Sequence, residues 1–206
     1  MPVHFQEAPK ASVEALEAAM PRIAGRASLS THAPEIGAAA SRVLRAGGTT
    51  KAEAAVISAP VHVLGLDDIV ARKKLSAAPV KVWTHLLPDG DKAPQVLADV
   101  DANTHKFAAI TQGQQVNSLG LQLRRVETDT RASEQDYDVA VIRVPALHLS
   151  AVWLKGRNGA ADVIVPNESP SSPLTAGKHY SFDEFMAALK PMAEAQLRQT
   201  DPEKGG

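Results

Sequence analysis

The 206-residue chain contains no cysteine. Disulfide bonds, thiolate catalysis and cysteine-ligated metal sites are therefore excluded. Aromatic residues make up only 4% of the sequence, which argues against aromatic platforms that stack on nucleic-acid bases. The formal net charge is −1, whereas nucleic-acid binders usually present a basic face. The composition therefore predicts no nucleic-acid partner.

The sequence also lacks long apolar runs. No stretch approaches the roughly 18–20 consecutive apolar residues that a membrane span requires. The first residues, MPVHFQEAPKASVEAL, have neither the basic start nor the apolar core of a signal peptide. We therefore expect a soluble, cytoplasmic protein without a membrane partner. With 44% hydrophobic and 22% charged residues, the composition is typical of a globular protein.

The clearest structural pattern lies between residues 137 and 167. Its first part is rich in β-branched residues, which favour a strand. Pro145 interrupts this strand because proline lacks an N–H group. A second strand over residues 146–155 has apolar side chains on both faces, which indicates a central position in a sheet. Asn158-Gly159 predicts a hairpin turn into a third strand.

Periodicity and capping residues predict the other elements. The expected helices cover residues 11–24, 35–46 and 50–58, a short segment capped by Asp67 or Asp68, and residues 181–199; the expected strands cover residues 80–87, 96–100, 106–111 and 118–126. Capping-box patterns predict the starts of two helices, with Thr50 and Glu53 for residues 50–58 and Ser181 and Glu184 for residues 181–199. Pro21 is expected to kink or end the helix that contains it, and Pro191 is expected to kink the closing helix.

Helices, then mostly strands, then a closing helix indicate an α+β fold. We expect a mainly antiparallel sheet of about five to seven strands, covered by the N-terminal helices and a C-terminal amphipathic helix. The length suits a single domain over residues 1–206. Its expected parts are a helical N-terminal part (10–58), a strand-rich core (60–166) and the closing helix (181–199), with flexible ends at residues 1–9 and 200–206.

One segment resembles the start of an EF-hand calcium loop. Asp99, Asp101 and Asn103 have its spacing, but the sixth and twelfth positions are Thr104 and Ile110 instead of Gly and Glu. A weak divalent-cation site at Asp99 and Asp101 is one interpretation, and a solvated turn between strands is the other. No cofactor is predicted.

The seven histidines include no H-x-x-x-H pair. His85 and His148 lie on predicted strands, where they either share a site across the sheet or form separate hydrogen bonds. His148 and Ser150 are two apart on one strand face, about 7 Å from each other, which is too far for a catalytic dyad. Trp83 is interpreted as a core residue, or alternatively as a pocket wall or a hot spot for a partner, and the same holds for Trp153.

Two functional hypotheses remain. The first is a non-catalytic protein-interaction or assembly module whose amphipathic helices pack on a protein partner or on a second copy, because no serine elbow or phosphate loop is present. The second is a small hydrolase-like enzyme with an unrecognised His/Asp site. The ligand-binding candidates are His85, His148, Trp83 and Arg143, and no catalytic residue is assigned.

Overall fold

The computed structural model describes residues 3–27, 34–46, 57–87, 95–129, 135–168 and 172–200. Its elements in chain order are β1 (Val3–Phe5), α1 (Lys10–Ala27), α2 (Pro34–Ala46), β2 (Ile57–Val63), α3 (Leu66–Val70), β3 (Val80–Leu86), β4 (Val96–Asp101), β5 (Phe107–Gln112), α4 (Gln114–Asp129), β6 (Tyr137–Val144), β7 (Leu149–Gly156), β8 (Val163–Pro166) and α5 (Phe182–Thr200). The predicted α+β class is confirmed. Within the described ranges, no helix is long and apolar enough to cross a membrane.

The strands follow the order β5-β4-β3-β2-β6-β7-β8, and β1 pairs with β6. Strand pairs β3–β4, β4–β5, β6–β7 and β7–β8 are antiparallel, whereas β2 and β6 are parallel. The predicted mainly antiparallel sheet is therefore confirmed, although its eight strands exceed the expected number.

The chain divides into two compact units. The first unit comprises residues 1–4, 61–80 and 126–206, and the second comprises residues 5–60 and 81–125. Each unit has its own cluster of buried apolar side chains. The single domain expected over residues 1–206 stays a prediction.

In the first unit, α5 covers one face of β6 and β7. Side chains alternate along a strand, so Ile142 and its cross-strand partner Ala151 point to the same face as Trp153. That face packs in one cluster with four α5 side chains: Phe185, Met186, Leu189 and Ala193. The predicted capping box begins α5, because the Ser181 N–H donates to Glu184 and the Glu184 N–H donates back to the Ser181 Oγ. The helix continues through Pro191.

In the second unit, helices lie on both faces of β3 and β4. Helices α1 and α2 pack on the face of β4 that carries Val96, Ala98 and Val100. Helix α4 lies on the opposite face, because a Cβ on Gly120 would come within 3.0 Å of Leu86, whose side chain alternates with that of His85. Polar side chains at neighbouring positions of β3 or β4 therefore face different helices, with α1 and α2 on one side of the sheet and α4 on the other.

The strand predicted over residues 118–126 is wrong, because these residues form part of helix α4. Leu119, Leu121 and Leu123 alternate with other residues and so imitate a strand. The helix buries Leu119 and Leu123, which are four residues apart and share a helix face, whereas Leu121 is 44% exposed. The buried spacing is therefore that of a helix.

Four smaller expectations also change. Residues 3–5 form strand β1 instead of a flexible lead-in, and the His4 Nε2 lies 2.7 Å from an Asp136 carboxylate oxygen. The helix predicted over residues 50–58 lies mostly outside the described residues, and its last two residues belong to β2.

The residue that caps α3 is Gly65, whose N–H donates to Asp68. Helix α1 continues past Pro21 to Ala27. The end predicted to be flexible at residues 201–206 lies outside the described residues.

The predicted hairpin turn after β7 is confirmed, with positive φ at Asn158 and Gly159. Gly156 is essential to this turn, because a Cβ there would lie 1.9 Å from the Ala160 carbonyl oxygen. We expect Gly156→Ala to lower the free energy of unfolding by about 1–3 kcal/mol, since the backbone must move to admit the methyl group. Urea denaturation measures the change.

The matched control for Gly156→Ala is Gly25→Ala in helix α1. A Cβ on Gly25 meets nothing within 4 Å. Because alanine favours a helix more than glycine does, this variant should gain about 0.5–1 kcal/mol. Equal effects of the two variants would contradict the role assigned to Gly156.

Candidate functional site

A buried polar cluster of the second unit is centred on His85. Its Nε2 lies 3.0 Å from the Ser12 Oγ of α1, and its Nδ1 lies 2.9 Å from the Ser58 Oγ of β2. His85 and Ser12 are both fully buried. Both ring nitrogens are therefore satisfied by serine hydroxyl groups.

Burial lowers the pKa of His85 from 6.5 to about 4, and the charge of Asp99 opposes this shift only in part. The imidazole is therefore neutral near pH 7, with one nitrogen donating and the other accepting a hydrogen bond. Two hydroxyl groups suit this state because each can act as donor or acceptor. Chemically, the cluster joins α1 to β2 and β3, and it gives a substrate no exposed imidazole nitrogen.

The His/Asp site of the enzyme hypothesis would need His85 and Asp99 to face each other. Asp99 pairs in register with Thr84, whereas His85 pairs with Ala98. Because neighbouring side chains alternate, Asp99 lies on the α4 face and His85 on the α1 face. Asp99 therefore does not orient His85 as an acid does in a catalytic triad, and the two ring nitrogens bond to Ser12 and Ser58 instead.

The structure places the other histidine candidate in the first unit. His148 is exposed and has a left-handed backbone, at φ 48°, after a helical turn at Pro145–Leu147. It precedes β7 and does not belong to it, so it shares no strand face with Ser150. The Ser150 Oγ instead accepts a hydrogen bond from the Asn167 amide at 2.8 Å. Arg143 is half-buried in β6, in register with Ser150.

Both tryptophans are buried. Trp83 is 9% exposed and shares a face of β3 with His85. Trp153 is 1% exposed, and the His62 ring contacts it edge-on with 5.1 Å between the ring centres. Burial lowers the pKa of His62, whose Nδ1 donates to the Ala78 carbonyl. Both tryptophans are thus placed as core residues.

The EF-hand-like segment forms the turn between β4 and β5. The Asp101 carboxylate accepts hydrogen bonds from the N–H groups of Asn103 and Thr104 and from the Thr104 hydroxyl. These bonds hold the pKa of Asp101 below its ordinary value. Among the described residues, no group of three or more His, Asp or Glu side chains is arranged to hold a metal ion.

A pocket of about 560 Å³ opens beside this turn, in the second unit. Helix α1 forms one side of it with Ala15, Ala19 and Ile23, which are spaced by four residues and share a helix face. Small side chains at two of these three positions leave room between the helix and the sheet. The β4–β5 turn and the start of β5 form the other side, at His105, Lys106 and Phe107, and Arg22 completes the lining.

The lining of the pocket is apolar at its base and basic at its rim. Arg22 and Lys106 are exposed, and His105 is partly buried. The Nδ1 of His105 is itself buried and forms no hydrogen bond with the described residues. His105 also has a left-handed backbone, at φ 50°, which the turn imposes through the bond from its N–H to the Asp101 carbonyl. The turn thus fixes a ring at the pocket wall.

This pocket was not predictable from the sequence. Its two sides are more than 80 positions apart along the chain, and none of Arg22, His105 and Lys106 belongs to a recognisable motif. The serine partners of His85 were missed for the same reason, since Ser12 is 73 positions away. The regular spacing of small residues in α1 is the one local signal that was present.

Comparison with known proteins provides no evidence about the function of this chain. No protein-family model matches the chain. No curated protein and no solved structure matches it either.

Proposed function

We propose that this protein is a non-catalytic binding module that holds a small molecule in the pocket between α1 and the β4–β5 turn. The observation that carries the proposal is the pocket itself, because its volume of about 560 Å³ falls within the range of roughly 300–1,000 Å³ that is typical of ligand sites. Its apolar base and few polar groups match the usual composition of such sites.

The burial and hydrogen bonds of His85 favour a binding function over a catalytic one. Both nitrogens of His85 bond to serines inside the protein, and its side chain is fully buried. A general base must reach a substrate proton within hydrogen-bonding distance. His85 is better suited to holding α1 against the sheet, and thereby to shaping the pocket.

The described surface favours a small ligand over a large protein partner. Leu121 is the one large apolar side chain that is well exposed in the described ranges, at 44%. Stable protein interfaces usually have a buried apolar centre. The expected protein partner or second copy stays a prediction, which light scattering and pull-down from the native host would test.

Ligand binding is tested by filling the pocket from α1. Ala15 lines the pocket, so Ala15→Phe should place a ring inside it and weaken binding at least about tenfold through steric exclusion. The measurement is amide chemical-shift mapping by NMR with a library of neutral, acidic and basic fragments. Binders should shift the amides of residues 15–23 and 105–107 in the wild type.

The matched control is Ala18→Phe, which adds the same ring on an exposed position of the same helix. Fragment binding should be unchanged in this variant. The proposal is wrong if no fragment shifts the pocket amides, or if the shifts persist in Ala15→Phe with unchanged affinity.

A further inference from the structure

The charges around the pocket narrow the class of ligand. Of the seven lining residues in the part of the chain that the structure describes, three are basic, namely Arg22, His105 and Lys106, and none is acidic. The other four, Ala15, Ala19, Ile23 and Phe107, are apolar. A ligand that matches both parts has an anionic group and an apolar body.

The two rim cations are available to an anion. Neither Arg22 nor Lys106 forms an ion pair with a described residue, and both side chains are exposed. The charge of His105 interacts with that of Asp101. Asp101 is already occupied by three hydrogen bonds from Asn103 and Thr104, so it is held within its own turn.

We infer that the pocket binds a small organic acid, with its anionic group between Arg22 and Lys106 and its apolar body against Ile23 and Phe107. This inference rests on the proposed binding function. A guanidinium group suits a carboxylate because its N–H groups match the two oxygens. An inorganic anion would leave the apolar base in contact with water, and an organic cation would be repelled by the rim.

The test compares an acid with a neutral molecule of the same shape. The probes are 3-phenylpropionate and 3-phenylpropanamide, whose affinities are measured by NMR titration of the full chain at low salt. In the wild type, the acid should bind about three- to tenfold more tightly than the amide, as expected for an exposed charge-assisted contact. Added salt should weaken acid binding and leave amide binding unchanged.

Three variants test which basic side chains cause the preference for the acid over the amide. Arg22→Met and Lys106→Met keep much of the apolar stem but remove the charge. Each should lower the acid-to-amide affinity ratio towards one, because the acid loses more affinity than the amide when one of the two cations is removed. Arg125→Met is the control, because it removes the same charge from an exposed position of α4, on the opposite face of the sheet. The ratio should stay at its wild-type value in this control.

The outcomes separate this inference from the binding function. If acid and amide bind the pocket equally in the wild type, the ligand class is wrong and the binding function stands. The same conclusion follows if Arg125→Met lowers the ratio as much as Arg22→Met does. If neither probe shifts the amides of residues 15–23 and 105–107, and no other fragment does, both proposals are wrong.

Discussion

Replacing His85 with alanine should lower the free energy of unfolding by about 3–5 kcal/mol. The ring is fully buried, so its removal leaves a cavity among the side chains that face α1. The change also leaves the hydroxyls of Ser12 and Ser58 without their imidazole partner, and buried polar groups without partners are costly. Urea denaturation of the two proteins at pH 7 measures the difference.

Single serine variants measure separately what the hydrogen bonds of Ser12 and Ser58 to His85 contribute to stability. Ser12→Ala should cost about 1–3 kcal/mol because it leaves one nitrogen of a buried ring unsatisfied. Ser58→Ala should cost less, since Ser58 is only partly buried and water can replace its hydroxyl. A loss below about 0.5 kcal/mol for His85→Ala, which is the usual range for surface substitutions, would refute the structural role of His85.

His85 should also make stability depend on pH. Burial lowers its folded-state pKa to about 4 from an ordinary value of 6.5, so the unfolded chain binds more protons between these limits. The contribution of His85 to stability is therefore fully present above pH 6.5 and is lost as the pH falls towards 4. At about 1.36 kcal/mol per pKa unit, the full change is roughly 3 kcal/mol.

The comparison variant for the pH effect is His85→Gln. Glutamine retains a hydrogen-bond donor and an acceptor but does not titrate. The difference in unfolding free energy between wild type and variant should therefore shrink as the pH falls from 7.5 to 4.5. A difference that is independent of pH would mean that His85 keeps its ordinary pKa in the folded protein.

Replacing Trp153 with alanine should lower the free energy of unfolding by about 3–5 kcal/mol, which is the usual cost of truncating a buried tryptophan. Trp153 is 1% exposed and packs with α5 in the core of the first unit. The change should also raise the pKa of His62 towards its ordinary value, because water that enters the cavity removes part of the burial that lowers it. NMR titration of His62 measures this second effect.

Trp153→Phe provides the control for this prediction. The indole Nε1 is buried and forms no hydrogen bond with the described residues. Phenylalanine removes this unsatisfied donor and keeps an aromatic ring, so its cost should stay below about 2 kcal/mol. A larger loss for Trp153→Phe than for Trp153→Ala would contradict the assignment of Trp153 as a core anchor.

The strands were predictable from the sequence where β-branched residues or a two-residue alternation of side chains recurs over several positions. Strands β3 and β6 have β-branched residues and period-two alternation, and Asn158-Gly159 marks the hairpin turn before β8. The capping box at Ser181 and Glu184 likewise placed the start of α5. These signals act over a few residues, so the sequence alone contains them.

The predictions were wrong where one local sequence pattern is compatible with both a strand and a helix. Leu119, Leu121 and Leu123 fit a strand until packing shows that only the first and last are buried. Residues 57 and 58 were joined to a predicted helix, although they belong to β2. That error hid Ser58 as a partner of His85. The pocket was missed because α1 and the β4–β5 turn meet only in the folded chain.

The most direct test of the central claim is the amide shift map of the wild-type chain with 3-phenylpropionate. We predict saturable shifts at residues 15–23 and 105–107, and we predict their loss in Ala15→Phe but not in Ala18→Phe. Shifts that are confined to other parts of the chain, or that are equal in both variants, would contradict the claim that this pocket is the binding site.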